Sequence, residues 1–316
     1  MEAVIEKEAL LPSIWSFEHT SIDELIAWYK DNEALIDEQL LRCGGILLRG
    51  VRIADLEKFE KVIHAISSRF MNYTDGNSPR TRLSSNVFTS TEFDKRAPIT
   101  LHNELSYSSR YPSRIYFCCI RPAVSGGETP IADCRRILEK ISPSLVKKIE
   151  ESGIRYIRNL HGGMGLGPSW QYTFQTTDRK EVEEFCRQGD TEFEWKEDGG
   201  IRLIQKRAGI IIHPVSREKV WFSQIDQFHP FHLDPDQYEA LIASYEDNEE
   251  DLPMYVTFGD GSKIANETIR HIMDTVDEQA RCFAWQAGDL LILDNILVSH
   301  GRRPYEGERK VLVAMS

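Results

Sequence analysis

The tetrapeptide Leu101-His102-Asn103-Glu104 follows a strand-like stretch at 98–100. In an extended strand, residues i and i+2 project from one face, so His102 and Glu104 point together and Asn103 points away. An imidazole beside a carboxylate is two thirds of the set that holds non-haem iron: two histidines and one carboxylate on one face, with the opposite positions open to co-substrate and O2. The second histidine has to come from elsewhere in the chain. Alone, a His-x-Glu tripeptide is more often an ordinary hydrogen-bonded pair than a ligand set, because short patterns discriminate loosely. Of the nine histidines, His300 stands out. It ends the strand-like run 296–299 and precedes Gly301-Arg302-Arg303-Pro304, with Arg309 opening the last strand-like segment. Guanidinium binds carboxylate through two parallel hydrogen bonds, so cations here suit an acidic co-substrate.

The remaining histidines read as structural. Pro230 interrupts any helix that could align His229 with His232, and His213 lies between a buried strand and Pro214, where a hydrogen-bonded role is expected. Asn266-Glu267-Thr268 matches a glycosylation sequon on an expected helix, without meaning for a cytoplasmic chain. The acidic run 246–251 reads as a solvated loop.

Composition limits what such a site could serve. The 316 residues carry 38 Lys plus Arg against 50 Asp plus Glu, a net charge of −12 that opposes binding to nucleic acid or anionic lipid. No apolar run approaches the roughly 18 residues of a membrane helix. Near the N-terminus, Glu2, Glu6 and Glu8 stand where a signal peptide would be basic and then apolar. The six cysteines form neither a CxxC pair nor a disulfide framework, which suits a cytoplasmic setting, and adjacent Cys118 and Cys119 read as buried strand residues.

Several elements must position these groups. Residues 1–70 read as helices around one strand: Ser21 and Glu24 form a capping box, a second helix spans 33–43, a buried strand lies at 46–48, and helical periodicity returns at 54–67. From 84 to 131 the texture is strand and turn, and Ser142-Pro143 opens a helix that Gly153 closes. The glycine-rich segment 158–171 reads as a mobile loop over a site. Helices follow at 179–187, 235–245 and 266–279, with strands at 201–205, 209–213, 219–222, 288–293, 296–300 and 309–315. The expected class is mainly β with helices (α+β), a β-sandwich or barrel core with helical decoration, as a single domain.

Four ordered motifs carry a resemblance: Leu101-His102-Asn103-Glu104; Gly126-Gly127-Glu128-Thr129-Pro130-Ile131-Ala132-Asp133; Gly288-Asp289 with Asp294-Asn295; and His300-Gly301-Arg302 with Arg309. Together they resemble the taurine dioxygenase and clavaminate synthase-like superfamily of Fe(II)- and 2-oxoglutarate-dependent oxygenases. The resemblance implies a double-stranded β-helix (jelly-roll) core over 71–316, a helical part at 1–70 and a lid loop at 158–171. It implies Fe(II) held by His102, Glu104 and His300, 2-oxoglutarate bound by Thr129 and Arg309, and O2 as oxidant. The spacing from His300 to Arg309 is shorter than in many relatives and Val313 stands where a second arginine is common, so Lys310 is the alternative cation. Arg158, Asn159 and Trp170 become substrate-contact candidates, against their reading as a packed surface loop.

Glu as the carboxylate, with Trp221-Phe222-Ser223-Gln224 and Phe258-Gly259-Asp260-Gly261, is similar to the syringomycin-type amino acid hydroxylase branch and unlike halogenases, which lack the carboxylate. The implied reaction is hydroxylation of an unactivated carbon in an amino acid or carrier-bound aminoacyl group, as in antibiotic biosynthesis. The rivals are a catabolic oxygenase of a small sulfonate-like substrate and a metal-free β-sandwich binding module.

Overall fold

The computed structural model describes residues 3–5, 11–78, 80–246 and 248–316; Glu2, Glu6 and Glu8 of the acidic N-terminal stretch lie outside the described residues. Strands that are apolar at successive positions need cover on both faces. Such strands form the middle of a sheet that, among the described residues, runs in the order Val4–Ile5, Ser13–Thr20, Gly45–Val51, Leu290–Asp294, Arg114–Arg121, Lys310–Met315, Phe88–Thr89. The two-residue period sorts their side chains. Leu48, Tyr116, Cys118, Ile292 and Leu312 face the N-terminal helices, whereas Leu47, Phe117, Cys119, Leu291 and Val313 face the opposite core. Cys118 and Cys119 are therefore both buried, on opposite sides of one strand.

On the outer face lie the helices Ile22–Asp31, Glu33–Cys43 and Leu56–Ile66. The Ser21 hydroxyl accepts from the Glu24 N–H while the Glu24 carboxylate accepts from the Ser21 N–H, completing the expected capping box. Leu25, Trp28 and Tyr29 then pack with Phe59, Val62 and Ile63 of the third helix against the sheet. The expectation of one strand among the first seventy residues is corrected here. Ser13–Thr20 is a full strand parallel to Gly45–Val51, and the first two helices carry the chain back between them. Its Trp15 and Phe17 alternate with polar residues and are buried.

The inner core is closed by a second sheet in the order Ile99–His102, Val298–Arg302, Ile131–Asp133. Its Leu101, Ile131 and Val298 share one apolar cluster with Phe117, Leu291 and Val313 of the larger sheet. The result is the expected β core with helical decoration. A further sheet, Thr191–Trp195, Ile201–Arg207, Ile154–Leu160, Met254–Phe258, extends the molecule. The supposed loop at 158–171 is shorter than its glycines suggest: the strand Ile154–Leu160 carries Arg158 and Asn159, Trp170 opens the helix Trp170–Phe174, and the irregular part is 161–169. The acidic run is also less solvated than expected, since Glu250 pairs with Arg155 and Asp251 with Arg202. Among the described residues no helix is long and apolar enough to cross a membrane.

One glycine is dictated by the close approach of the second sheet's strands. A Cβ at Gly301 would collide with the Ile99 carbonyl, and the pairing register shifts between His300 and Arg302 at this point. Gly301→Ala is expected to lower unfolding free energy by about 2 kcal/mol or more in urea titrations, and an unchanged midpoint would contradict the close approach.

Candidate metal centre

His102 is the last residue of Ile99–His102, and the antiparallel register sets it directly opposite His300. Residues so paired point to the same face, and the two imidazole centroids lie 4.6 Å apart. A separation of about 200 residues is thus closed by one strand pair. Glu104 reaches the same place differently from the simple i, i+2 expectation. The strand has ended before it, and the following Leu105 takes a left-handed φ of 58°. Its backbone is held by Asn295: the Glu104 N–H donates to Asn295 Oδ1 (2.8 Å), and Asn295 Nδ2 donates to the carbonyls of Glu104 (3.0 Å) and Pro112 (2.9 Å). Asn103 Nδ2 returns a bond to the Asn295 carbonyl at 2.6 Å. The neighbouring Asp294 fixes that turn through the N–H groups of Ile296 and Leu297 and accepts from His213, which has the structural role expected for it.

The candidate ligand atoms of His102, Glu104 and His300 lie within 4.8 Å of one another, and all three residues are buried. His102 Nδ1 is hydrogen bonded to the Thr100 carbonyl at 2.9 Å, which orients the ring and leaves Nε2 free as a ligand. Burial, and then the neighbouring His300, bring the His102 pKa down to about 4, so the ring is in its neutral, ligating form at pH 7. Burial opposes the charge on Glu104, but Arg80, followed by the two histidines, outweighs it and holds the carboxyl well below its ordinary range. Neither ring nitrogen of His300 has a hydrogen-bond partner among the described residues. A buried imidazole left unpaired is what a site awaiting a cation contains, and two imidazoles with one carboxylate are a donor set that fits Fe(II).

Beside the triad lie Arg309 and Thr129, the residues expected to bind 2-oxoglutarate. Arg309 donates to the Gly127 carbonyl (2.9 Å), Ser90 Oγ (3.3 Å) and Thr129 Oγ1 (3.4 Å), and Trp285 Nε1 also reaches Thr129 Oγ1 (3.1 Å). Thr129, Arg309, His102 and His300 line one cavity. Burial and the nearby Arg302 lower the Arg309 pKa to about 10. Lys310 is exposed and pairs in register with Arg121. Arg302 lines the same cavity as Arg309, but its terminal nitrogens are given to the carbonyls of Thr91, Phe93, Asp94 and Ala97, and Arg303 pairs with Asp277.

The proposed substrate contacts are placed elsewhere. Arg158 is bound to Asp75, Asn77 and Gln205 and stacks on Tyr107. Asn159 donates to the carbonyls of Glu250 and Leu252, and Trp170 donates to the Gly199 carbonyl while packing on Trp195. None of the three lines the cavities beside the triad. Two residues without an assigned role in the sequence do belong to the site, Arg80 and Asn295. Asn295 stood inside a recognised motif, whereas Arg80 carried no local signal.

A β-sandwich that gathers two imidazoles, one carboxylate and buried guanidiniums has the architecture of the non-haem iron oxygenases. The chain belongs to the taurine catabolism dioxygenase TauD, TfdA family, whose model matches residues 7–315, and is a dioxygenase of that family. It is 37% identical over 295 residues to the dapdiamide synthesis protein DdaC of Enterobacter agglomerans, covering 93% of this chain and 87% of that protein. It is 30% identical over 294 residues to a clavaminate synthase-like protein of Arabidopsis thaliana, covering 90% and 85%. The crystal structure of PvcB from Pseudomonas aeruginosa has the same fold, with a TM-score of 0.54 at 14% identity over 99% of this chain and 89% of that one. Asparagine oxygenase, solved with Fe(II), 3-hydroxyasparagine and succinate, gives 0.54 at 12% identity over 92% and 78%. These structural neighbours bear out the jelly-roll expectation.

Asn295→Ala would leave the Glu104 N–H and two buried carbonyls unpaired. It is expected to cost about 2–4 kcal/mol of stability in urea and to weaken Mn(II) binding about 10–100-fold by EPR titration. A second expectation concerns Asp226, a buried carboxyl that burial pushes up to about 6, with the Thr100 hydroxyl opposing the shift. The folded protein keeps this proton up to about pH 6 while the unfolded chain releases it near 3.8, so its contribution to stability falls as pH rises through that window. Asp226→Asn is expected to raise stability at pH 7 by up to about 3 kcal/mol and to flatten the profile between those values, as read by thermal melts across pH.

Proposed function

We propose that this dioxygenase holds Fe(II) on His102, Glu104 and His300 and binds the distal carboxylate of 2-oxoglutarate at Arg309 and Thr129. Its reaction is then hydroxylation of an unactivated C–H bond in an amino acid or carrier-bound aminoacyl group, in natural-product biosynthesis. The observation that carries the reading is the cross-strand pair His102 and His300 with Glu104 beside it, one imidazole oriented by Thr100 and the other without a hydrogen-bond partner among the described residues, its Nε2 3.7 Å from the Glu104 carboxylate. With both bound, the iron and its co-substrate supply O2 activation coupled to decarboxylation, yielding succinate and CO2 as the carbon is hydroxylated.

The chain's residues do the positioning. Thr100 fixes one ring edge-on, Arg80 keeps Glu104 ionised, and Phe117, whose ring centroid lies 5.1 Å from that of His300, shields the inner side from water. Arg309 provides the cation for a dianionic co-substrate, and Thr129, steadied by Trp285, provides a hydroxyl. The amino acid reading is supported by the names of relatives: one protein of dapdiamide synthesis, and an asparagine oxygenase whose structure contains a hydroxylated asparagine. We read residues 1–316 as one catalytic unit, because both histidines are needed in one site, and as cytoplasmic, in keeping with six free cysteines.

Anaerobic addition of Fe(II) and 2-oxoglutarate is expected to give the weak visible charge-transfer band of a chelated ferrous complex. His102→Ala should abolish iron retention, whereas Arg309→Ala should weaken 2-oxoglutarate binding by about tenfold or more and leave iron bound. A silent Arg309→Ala beside a damaging Lys310→Ala would reassign the cation. Succinate release, screened against free amino acids and the same amino acids loaded on carrier protein, decides the substrate form.

A further inference from the structure

A cleft of about 270 Å3 is walled by Tyr73, Gly76, Arg80, Phe88, Tyr172 and Thr173. Arg80 also lines the cavity at His102 and His300, so this residue is common to both spaces. The side chain is 2% exposed. Its Nη2 donates to Glu104 Oε2 at 2.5 Å, and its plane lies 4.6 Å from the centre of the Tyr73 ring. The backbone on which it stands is pinned by Tyr172, whose hydroxyl accepts from the Arg80 N–H (3.2 Å) and donates to the Arg80 carbonyl (3.4 Å).

What distinguishes Arg80 is how little of it is used. Its Nε and Nη1 have no hydrogen-bond partner among the described residues. Arg158 and Arg302 are comparably buried, yet Arg158 engages Asp75, Asn77 and Gln205, and Arg302 gives its terminal nitrogens to four carbonyls. A desolvated guanidinium with most of its donors idle is unfavourable unless an anion completes it. Glu104 cannot be that anion alone, because in the function proposed above its charge is shared with the metal. Two further residues lining the same cavity carry a buried oxygen without a hydrogen-bond partner among the described residues, Thr173 Oγ1 and Gln171 Oε1, so unmatched donors and acceptors lie in the walls of one space.

We infer that Arg80 anchors the primary substrate, binding a free carboxylate of that substrate in this cavity while Thr173 and Gln171 take N–H groups beside it. The inference rests on the proposed iron site and sharpens it: the substrate is acidic, and a substrate tethered to a carrier through one carboxyl must keep a second one free. It also gives Arg80 a role separate from Arg309, whose cavity is lined by Thr129.

The test uses the full chain loaded with Mn(II), with saturating N-oxalylglycine occupying the co-substrate site and EPR reporting metal retention. Propanoate and propanamide, equal in shape and different in charge, are the probes, and the Mn(II)-induced relaxation of their methyl protons is measured by NMR. Propanoate is expected to bind at least tenfold more tightly than propanamide. Arg80→Gln should bring it to the propanamide level, and Arg80→Lys should leave an intermediate preference. Equal binding of the two probes by the wild type, or an undiminished preference in Arg80→Gln, overturns the inference. So does a tenfold loss of N-oxalylglycine affinity in that variant with propanoate unaffected, which would assign Arg80 to the co-substrate. If Arg80→Gln does not fold, the wild type and Arg80→Lys decide. If the wild type retains no Mn(II), the iron reading fails separately, and the propanoate preference is then read by saturation transfer from the metal-free protein.

Discussion

The structure depends on one strand pairing. Ile99–His102 and Val298–Arg302 meet antiparallel with His102 opposite His300, and everything else about the centre follows from keeping that register. A slip of one residue would send one imidazole to the other face of the sheet. Several features guard against it. The Gly301 backbone fits against Ile99 only because it lacks a side chain, Ile131–Asp133 pairs on the other edge of the His300 strand, and Asn295 ties the turn before that strand to the backbone of Glu104. Glu104 thus depends on a side-chain brace where His300 depends on a ladder.

Charge is distributed with the same selectivity. The chain carries a net −12, yet three guanidiniums, those of Arg80, Arg302 and Arg309, line the cavity at His102 and His300. Arg309 stands at the Thr129 end, and Arg80 stands against Glu104. Arg302 has its terminal nitrogens satisfied by backbone carbonyls while keeping its charge, and the neighbouring Arg303 is paired with Asp277. Buried cations with unmatched donors in an acidic protein are costly unless ligands bring negative charge, which is the electrostatic ground for the two anion sites proposed above.

Much of this was legible in the sequence. The triad could be read because His102 and Glu104 are two residues apart and His300 closes a strand, and the sheet could be read because 45–48, 115–120 and 290–293 are apolar at successive positions. The rest failed for identifiable reasons. Ser13–Thr20 has the alternation of a strand, but its partner is reached only through two helices, which local pattern does not show. Arg158 and Asn159 look like loop residues because their partners, Asp75 and the carbonyls near Leu252, are distant in sequence. Arg302 and Arg303 looked like part of an anion site because clustering in sequence says nothing about which carbonyls a guanidinium will meet. Arg80 was invisible for the converse reason: its importance arises from a single contact with Glu104 and from the contacts it does not make.

This arrangement also bears on the order in which fold and metal come together. In small metal-dependent domains the ligands are scattered until the ion gathers them, and binding free energy is folding free energy. Here the ligands are gathered by other means. Leu101, Phe117, Leu291 and Val298 bury the pairing in one apolar cluster, Thr100 fixes the His102 ring, and Asn295 and Arg80 hold Glu104 at backbone and carboxylate. The desolvation of the His102 imidazole and the Glu104 carboxylate is therefore offset in part within the folded chain by packing and hydrogen bonds, whereas the His300 imidazole is packed without a hydrogen bond among the described residues. An ion entering such a site meets groups already desolvated and aimed, and its affinity is free to be set by the geometry of the open positions rather than by the work of folding. That suits a centre that must exchange co-substrate and product at every turnover while its protein ligands stay where they are.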